Sequence, residues 1–255
     1  MQSDTSSQVI TRLFIDAPLK PGGVLQASSS QAHHLQHVLR ARSGSLVGLF
    51  NGTDGEWMAK VSMGPRSDVS FLVGSQSRRQ TLGDGPWLLF APVKRLRLDF
   101  LIQKSVELGA ELIQPVRTRR TVVRRVNSGR LRANAIEAAE QCGRLTVPKT
   151  HAYAAMAEVI EDWPVGRTLF WGDETGHGTP ALHAFREGGR DAAFLIGPEG
   201  GFEDSERTYL RGHDFARAID LGTNVLRSDT AALVALALWQ GALNDCSRLR
   251  ENKAN

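Results

Sequence analysis

Three short turns carry the residue types that could hold a small ligand. Their sequences are WGDE (171–174), GPEGGF (197–202) and LGTNVLRSDTA (221–231). In the second turn, Gly197, Gly200 and Gly201 permit positive φ and let backbone amides approach a ligand closely, while Pro198 stiffens the bend. A tight connection between a strand and a helix would use the same residues. The turn is neither a GxGxxG fingerprint nor a Walker A loop, which disfavours nicotinamide cofactors and ATP.

A run of basic residues is the second feature with chemical potential. Between Lys94 and Arg132 there are 11 basic residues against three acidic ones, so this segment carries +8 in a chain whose net charge is +4. Seven arginines fall within residues 117–132 with no acid among them, and they would repel one another unless water, salt or a polyanion lay opposite. Guanidinium groups grip phosphate with two hydrogen bonds and stack on bases. The run therefore favours nucleic-acid binding over its alternative, a solvated loop that only aids solubility.

The histidines and cysteines do not form a metal-binding pattern. His33 and His37 have the i, i+4 spacing of a ligand pair, but no Cys, Asp or Glu accompanies them as a third ligand. Cys142 and Cys246 are the two cysteines of the chain. They are too few for a disulfide scaffold, and they fit a reducing compartment. We expect no metal site.

Short strands in the first third of the chain must fold around one helix. Turn signals separate the strand-like segments, which are RLFI (12–15), GVLQA (23–27), LVGLF (46–50), EWMAKVSM (56–63) and VSFLV (69–73). Ser28 to Ser30 offer N-caps for a helix with Leu35, Val38 and Leu39 on its apolar stripe. Five strands and one helix predict a small, partly closed β-barrel over residues 1–76. The polar segment 77–86 is the natural linker.

From residue 87 onward the pattern changes to alternating strands and helices. The predicted strands are 87–92, 112–116, 168–171, 192–197 and 216–222, and the predicted helices are 97–109, 130–143, 203–211 and 229–243. This alternation predicts an α/β domain, residues 87–255, with a parallel sheet covered by helices on both faces. Ligands of such sheets bind at the carboxyl ends of the strands, where all three turns fall. Ser228 or Asp229 would also cap the last helix.

Composition and segment lengths exclude several classes of protein. With 41% hydrophobic and 23% charged residues, the 255-residue chain is expected to fold rather than to remain disordered. The longest apolar run, residues 231–239, is well short of the roughly 20 residues that cross a bilayer, so no membrane partner is expected. The polar start MQSDTSSQ lacks the features of a secretion signal. These observations predict a cytoplasmic protein.

Four ordered motifs resemble one family. LIGPEGGF (195–202) with LGTNVLRSDTA (221–231) resembles the paired C-terminal signatures of the SPOUT-class RNA methyltransferases, specifically the ribosomal RNA small-subunit methyltransferase E family. IQKSVELG (102–109) and EAAEQCGR (137–144), followed by Val147 and Pro148, resemble that family's internal motifs in order and spacing.

The resemblance implies a fold and a reaction. The implied fold is a PUA-like RNA-binding barrel joined to a SPOUT domain with a deep trefoil knot, assembled as a homodimer. The implied reaction transfers a methyl group from S-adenosylmethionine to N3 of a uridine in the 16S ribosomal RNA of the small subunit. Matching positions make these the expected cofactor-binding residues: Trp171, Gly172, Gly197, Pro198, Glu199, Gly200, Gly201, Leu221, Gly222, Leu226 and Arg227.

Removal of the N3 proton is the chemical difficulty of this reaction. A cation beside the base would stabilise the resulting anion, and Arg227 and Arg97 are the candidates, with the anchoring of a phosphate or carboxylate as their alternative role. No histidine lies in the three turns, and His177 follows a glycine in a loop, so no general base is assigned. The expected RNA-binding residues are Arg40, Lys94, Arg95, Arg117, Arg119, Arg120, Arg124 and Arg125.

Two departures from the family pattern bear on the choice of base more than on cofactor binding. Ser228 and Asp229 stand where the family usually has Thr and Glu, and the family's Trp after the Arg130 position is absent. The alternatives left open are a SPOUT methyltransferase for another ribosomal or transfer RNA site, and a non-catalytic RNA-binding factor for ribosome assembly. Retention of both cofactor signatures argues against the second.

Overall fold

The computed structural model describes residues 8–65, 68–81 and 83–254, and for residues 244–254 it describes only the helical backbone. The polar start of the chain, residues 1–7, and the side chain of Cys246 lie outside the described part. The chain divides into two compact units, one of residues 1–82 and 139–147, the other of residues 83–138 and 148–255.

A five-stranded mixed sheet forms the N-terminal unit. Its strands are β1 Val9–Phe14, β2 Val24–Gln26, β3 Leu46–Phe50, β4 Glu56–Met63 and β5 Val69–Arg78. The order across the sheet is β1-β3-β4-β5-β2, with β1 parallel to β3 and the other neighbours antiparallel. Alternate residues of each strand point to one face, and this face buries side chains such as Val47, Val61 and Phe71.

The predicted helix of this unit begins where expected but is built differently. Ser28 accepts a hydrogen bond from the backbone N–H of Gln31, whose side chain accepts one from the N–H of Ser28, so a capping box starts α1 Ser29–His33. The chain continues as a π-helical turn, His34–Val38, in which Leu35 is fully buried. The rings of His33 and His37 pack against each other, with centroids 4.7 Å apart.

The division into units departs from the predicted boundaries at residues 139–147. The sequence pattern assigns this segment to the C-terminal domain, 87–255, but it groups with the N-terminal unit. Side chains and backbone of the N-terminal strands bind this segment. Arg12 donates hydrogen bonds to the carbonyls of Ala139 at 2.9 Å, Glu140 at 3.0 Å and Arg144 at 2.7 Å, and the N–H of Phe14 donates to Oε1 of Glu140 at 2.8 Å.

The predicted linker, residues 77–86, also differs in its first part. β5 runs on through Arg78, because residues near its end still pair with β4, with Arg78 opposite Glu56 and Gln76 opposite Trp57. The C-terminal unit begins at residue 83.

A parallel sheet organises the C-terminal unit, as predicted. Its strands are β6 Trp87–Phe90, β7 Leu112–Arg117, β8 Lys149–Thr150, β9 Ala154–Ala155, β10 Thr168–Gly172, β11 Thr179–Pro180, β12 Ala192–Ile196 and β13 Ala216–Asp220. The order is β11-β13-β10-β12-β6-β7-β8, with β9 also paired to β7, and every one of these pairs is parallel. The central strands bury nearly every side chain, which explains their continuous apolar sequences.

Helices connect these strands. They are α2 Arg95–Glu107, α3 Ser128–Cys142, α4 Met156–Glu161, α5 Ala181–Glu187, α6 Asp204–Arg211 and α7 Ser228–Ala254. The sequence patterns did not predict α4 and α5, and α7 continues beyond its predicted end at residue 243. None of the helices in the described ranges is long and apolar enough to cross a membrane.

Candidate active site

The candidate site lies where three neighbouring strands end. β13, β10 and β12 are adjacent in the sheet and parallel, so their carboxyl ends share one edge. The turns that follow them line a pocket of about 350 Å³. Binding at this edge is the general rule for open parallel sheets, and it is what the three sequence turns predict.

Most of the predicted cofactor residues meet in this pocket. Those that line it are Gly172, Gly197, Pro198, Glu199, Gly201, Leu221, Gly222 and Leu226. Trp171, Gly200 and Arg227 do not line it. Trp171 is buried beneath the pocket in β10 and packs edge-on against Phe202, so it supports the turn from below.

The glycines of the second turn have different roles from those predicted. Of the three, Gly201 alone has a positive φ, +69°, and a Cβ there would lie 2.0 Å from Oε1 of Glu174. Gly197 has an ordinary φ, but a Cβ would press on the ring of Phe202 at 2.9 Å. A Cβ at Gly200 would make only ordinary contact, with Arg120. The expectation of positive φ at Gly197 and Gly200 is therefore wrong.

The third turn brings an unpartnered hydroxyl group to the pocket. Ser228 lines the pocket at the start of α7, is 4% exposed, and its Oγ has no hydrogen-bond partner among the described residues. A buried polar group without a partner costs free energy, so a ligand atom is the natural partner. Within the same turn, the N–H of Gly222 donates to Oδ1 of Asp220 at 2.9 Å, which orients the bend.

The first turn contains an ion-pair network that was not predicted from the sequence. Asp173 is fully buried and accepts hydrogen bonds from Nη2 of Arg211 at 3.0 Å and Oγ1 of Thr175 at 2.7 Å. Arg207 pairs with Glu174. Burial opposes the charge of Arg207, but its carboxylate neighbours outweigh that effect and raise its pKa. The signal available in the sequence was the pair of acids directly after a buried strand.

His177 is connected to this network from outside. Its Nδ1 lies 2.9 Å from Oγ1 of Thr175, whose hydroxyl is also bonded to Asp173. His177 is exposed, as expected, and does not line the pocket.

The charged residues of the pocket lining are acidic, and arginines outside the lining pair with three of them, Asp173, Glu174 and Glu199. The lining includes Asp173, Glu174, Glu199 and Asp220, and it includes no Lys or Arg. The lining also offers an apolar wall, made by Ile196, Ile219 and Leu226. Such a pocket favours a ligand that is cationic in one part and apolar in another, and it disfavours phosphates.

The two candidate catalytic arginines have different positions. Arg97, in α2, pairs with the carboxylate of Glu199, so its charge is already partly neutralised at the rim of the pocket. Arg227 is exposed and lies between Leu226 and Ser228, which both line the pocket.

The arginine loop, residues 118–127, connects β7 to α3 beside this site. Arg120 donates from Nη1 to the carbonyl oxygen of Gly200 at 2.7 Å, and the backbone N–H of Arg119 donates to Glu206 at 2.9 Å. Arg124 and Arg125 are exposed, and no described carboxylate pairs with either of them.

The remaining predicted RNA-binding residues are also on the surface. Arg117 is exposed at the end of β7, while Lys94 and Arg95 are exposed at the start of α2. Arg40 is exposed in the N-terminal unit, where it adopts a φ of +51°. No group of three or more His, Cys, Asp or Glu side chains is placed to hold a metal ion anywhere in the described ranges.

Comparison with known families decides the class of this fold. The family described as the RNA methyltransferase domain matches residues 86–240, and the RNA methyltransferase PUA domain matches residues 28–71. The chain belongs to the RNA methyltransferase family. The α/β class and the PUA-like character of the N-terminal unit are thereby confirmed, and the trefoil knot stays a prediction.

Relatives within the RNA methyltransferase family extend over most of the chain. The ribosomal RNA small subunit methyltransferase E of Rickettsia conorii is 29% identical over 229 residues, 89% of this chain and 93% of that protein. The protein of the same name from Synechocystis is 29% identical over 245 residues, 92% of this chain and 79% of its own. The resemblance seen in the four sequence motifs is confirmed.

Two solved structures of similar methyltransferases contain a cofactor. A methyltransferase from Legionella pneumophila, in complex with bound SAM, has a TM-score of 0.82 and 28% identity, covering 92% of this chain and 98% of its own. A ribosomal RNA small subunit methyltransferase E from Neisseria gonorrhoeae, bound to S-adenosyl methionine, has a TM-score of 0.81 and 28% identity, covering 91% and 97%.

Proposed function

We propose that this protein transfers a methyl group from S-adenosylmethionine to N3 of a uridine in the 16S ribosomal RNA of the small subunit. The observation that carries the proposal is the pocket at the ends of β10, β12 and β13, built from both signature turns within an RNA methyltransferase domain. Relatives named for methylation of small-subunit ribosomal RNA match most of the chain, which supports the choice of substrate.

The residues of the pocket fit S-adenosylmethionine. A volume of about 350 Å³ lies within the usual range of small-molecule sites, roughly 300 to 1,000 Å³. Asp220, the carboxylate of the lining that no described arginine pairs with, suits the positive charge of a sulfonium, and the apolar wall of Ile196, Ile219 and Leu226 suits an adenine ring. Ser228 Oγ, buried and unpartnered, has the capacity for one hydrogen bond to the cofactor. The bound cofactor would supply an electrophilic methyl group.

Residues around the pocket would prepare the base for methylation. Uracil N3 must lose its proton, and a nearby cation favours the anion that results. Arg227 is the better placed of the two candidate cations, because no described carboxylate pairs with it, whereas Arg97 is paired with Glu199. The pair would instead hold the glycine turn in its binding conformation.

The arginine loop would hold the RNA backbone. Arg124 and Arg125 of the loop, and Arg117 at the adjoining end of β7, are exposed without a described carboxylate partner, so phosphates can take that place. Arg120 differs because it is bonded to the carbonyl of Gly200. Its role would be to connect the RNA-binding loop to the cofactor turn.

We also propose a homodimer formed through the first half of α7. One face of this helix, with Ala232, Ala235 and Leu236, is buried in the unit's core. The opposite face has Thr230, Ala237 and Gly241 exposed at helical spacing, and Leu233 beside them is only partly buried. A helix face of small, uncharged residues lets a second copy of the chain pack closely against it. A ribosomal RNA substrate implies that the enzyme works in the cytoplasm.

A titration with S-adenosylmethionine tests the proposal against a non-catalytic assembly factor. We expect calorimetry to show saturable binding at one site per chain, with S-adenosylhomocysteine as a competitor. A folded protein that binds neither compound at millimolar concentration would contradict the proposed activity.

A further inference from the structure

A second cavity, of about 490 Å³, lies in the C-terminal unit and shares no lining residue with the cofactor pocket. Its wall is made by the start of α2, the arginine loop and the start of α3. Lys94, Arg95 and Arg125 of its lining are among the residues that the sequence predicts to bind RNA, but the sequence did not predict a cavity between them.

Positive charge dominates this cavity. Lys94, Arg95 and Arg125 line it, and all three are exposed. Arg95 attracts Asp99 electrostatically, but none of the three forms a salt bridge with a described carboxylate. Asp99 is the single acid of the lining, and its carboxylate is already used. It accepts from Nε of Arg130 at 2.9 Å and from Nδ2 of Asn134 at 2.6 Å.

Arg130 and Asn134 occupy the carboxylate of Asp99. The hydrogen bond from Arg130 holds the pKa of Asp99 below its ordinary value, with help from Asn134 and despite partial burial. Asp99 therefore stays ionised, and Arg130, held against it, offsets its negative charge. Three cationic side chains remain available to a ligand.

An apolar wall distinguishes this cavity from a simple phosphate site. Val93 and Leu131 are buried in it, and Leu98, Val123 and Val126 are partly buried. A phosphate alone would gain nothing from such a wall. A nucleotide would use both parts, because its base has an apolar face and its phosphate is anionic.

Two elements connect this cavity to the cofactor site. α2 contributes Leu98 and Asp99 to the cavity, while Arg97 between Leu96 and Leu98 pairs with Glu199 of the cofactor turn. The arginine loop also reaches both sites, since Arg120 bonds the carbonyl of Gly200 in the cofactor turn and Arg125 lines the cavity. One RNA strand that follows the loop would present nucleotides to both sites.

We infer that this cavity binds one unpaired nucleotide of the RNA substrate, distinct from the nucleotide that is methylated. Its phosphate would contact Lys94, Arg95 and Arg125, and its base would lie against Leu98 and Val126. The inference rests on the proposed function and adds a second point of RNA recognition to it. The enzyme would then select RNA in which two nucleotides are free of base pairs.

Filling the cavity without changing its charge gives the first test. Val126→Trp places an indole in the cavity, and Val122→Trp is its matched control, because Val122 is on the same loop, is 84% exposed and does not line the cavity. We expect Val126→Trp to weaken binding of a small-subunit ribosomal RNA fragment at least about fivefold, the lower range for one stacked base. Val122→Trp should stay within about twofold of the wild type. Equal effects of the two variants would overturn the inference.

RNAs with single abasic nucleotides give the second test. At one position other than the methylated uridine, removal of the base should lower the affinity of the RNA for the wild-type protein at least about fivefold. Val126→Trp should bind the same abasic RNA as well as it binds the intact RNA. Penalties that are the same in both proteins at every position would overturn the inference. Should Val126→Trp fail to fold, Arg125→Ala replaces it in the same scan, with Lys104→Ala as its control, because Lys104 is paired with Glu107 and does not line the cavity.

Free mononucleotides separate this inference from a small-molecule site. The wild type could bind UMP or AMP saturably, lose that binding in Val126→Trp, and show no dependence on the abasic position in RNA. This result would assign the cavity to a free nucleotide and overturn the inference. The proposed function has a separate readout in the same samples. A wild type that methylates RNA but ignores every abasic position overturns the cavity's role alone, whereas a wild type that transfers no methyl group overturns the proposed function.

Discussion

Arg97 pairs with Glu199 across 102 residues of chain, and the pair joins α2 to the glycine turn that lines the cofactor pocket. Both side chains are partly exposed, 34% for Arg97 and 57% for Glu199, so the pair is expected to contribute no more than about 1 kcal/mol to stability. The position of the pair indicates a role in holding the glycine turn rather than in stability. The pair fixes the turn on one side, while the bond from Arg120 to Gly200 fixes it on the other.

The first prediction concerns this pair. Arg97→Gln and Glu199→Gln should each lower the affinity for S-adenosylmethionine. The double variant should lose no more affinity than the more damaging of the two single variants, because either change alone releases the turn. Calorimetry measures the three affinities, and thermal unfolding should show that stability changes little. Additive losses in the double variant would mean that the two residues act independently.

The second prediction separates the two adjacent glycines. Gly201→Ala should reduce cofactor affinity strongly, since a positive φ costs an alanine about 1–2 kcal/mol and its Cβ would displace Glu174. Gly200→Ala is the matched control, because its Cβ would make only ordinary contact with Arg120. Titration of both folded variants with S-adenosylmethionine measures the difference. Similar affinities would show that the turn tolerates a side chain at either position.

The third prediction concerns Ser228. If its Oγ bonds the cofactor, Ser228→Ala should weaken S-adenosylmethionine binding about 2- to 12-fold, the range for one neutral hydrogen bond, while the free protein keeps its stability or gains some. A role as helix cap predicts the reverse, a loss of about 1 kcal/mol in the free energy of unfolding with unchanged affinity. Thr223→Ala, at an exposed position of the same pocket, is the control.

The fourth prediction uses the salt dependence of RNA binding. The triple variant Arg117→Ala, Arg124→Ala, Arg125→Ala should flatten the plot of log affinity against log salt by roughly 0.7 to 0.9 for each phosphate that is no longer bound. Cofactor affinity should not change. Lys104→Ala is the control, since it removes a cation from α2 that is already paired with Glu107. An unaltered slope in the triple variant would show that these arginines do not bind phosphate and only aid solubility.

Arg120→Ala should behave differently from the other loop variants. Because its guanidinium bonds the carbonyl of Gly200, its removal should reduce methylation and cofactor affinity more than RNA affinity. Parallel decreases in RNA affinity and methylation would instead place Arg120 among the residues that bind phosphate.

The fifth prediction tests the dimer. Ala237→Arg places a charge on the exposed face of α7 and should convert a dimer to a monomer at micromolar concentration. Light scattering reports the mass of each form. A wild type that is already monomeric would contradict the proposed assembly.

The sequence was sufficient for the elements with strong periodicity. β3 and β4 have the predicted bounds, and the parallel sheet was correctly inferred from alternating strands and helices. The short elements escaped prediction. β8, β9 and β11 have two residues each, and such segments have no measurable period.

The site was predictable in location but not in detail. Eight of the cofactor residues that the family resemblance implied line one pocket, but the resemblance does not show which glycine has a positive φ. Two ion pairs join segments that are distant in the sequence, Arg97 with Glu199 and Arg211 with Asp173, and no local sequence pattern predicts them. No local pattern predicts, either, that residues 139–147 join the N-terminal unit, where their carbonyls accept hydrogen bonds from Arg12.

The most direct test of the central claim is mass-spectrometric mapping of methylated RNA. Small ribosomal subunits from a strain lacking this protein would be incubated with the purified protein and S-adenosylmethionine carrying a deuterated methyl group, and the digested 16S RNA would be analysed for labelled nucleosides. We expect one labelled position, a 3-methyluridine, that is unmodified in the deletion strain. Label in transfer RNA, at another atom of the base, or in no nucleoside at all would contradict it.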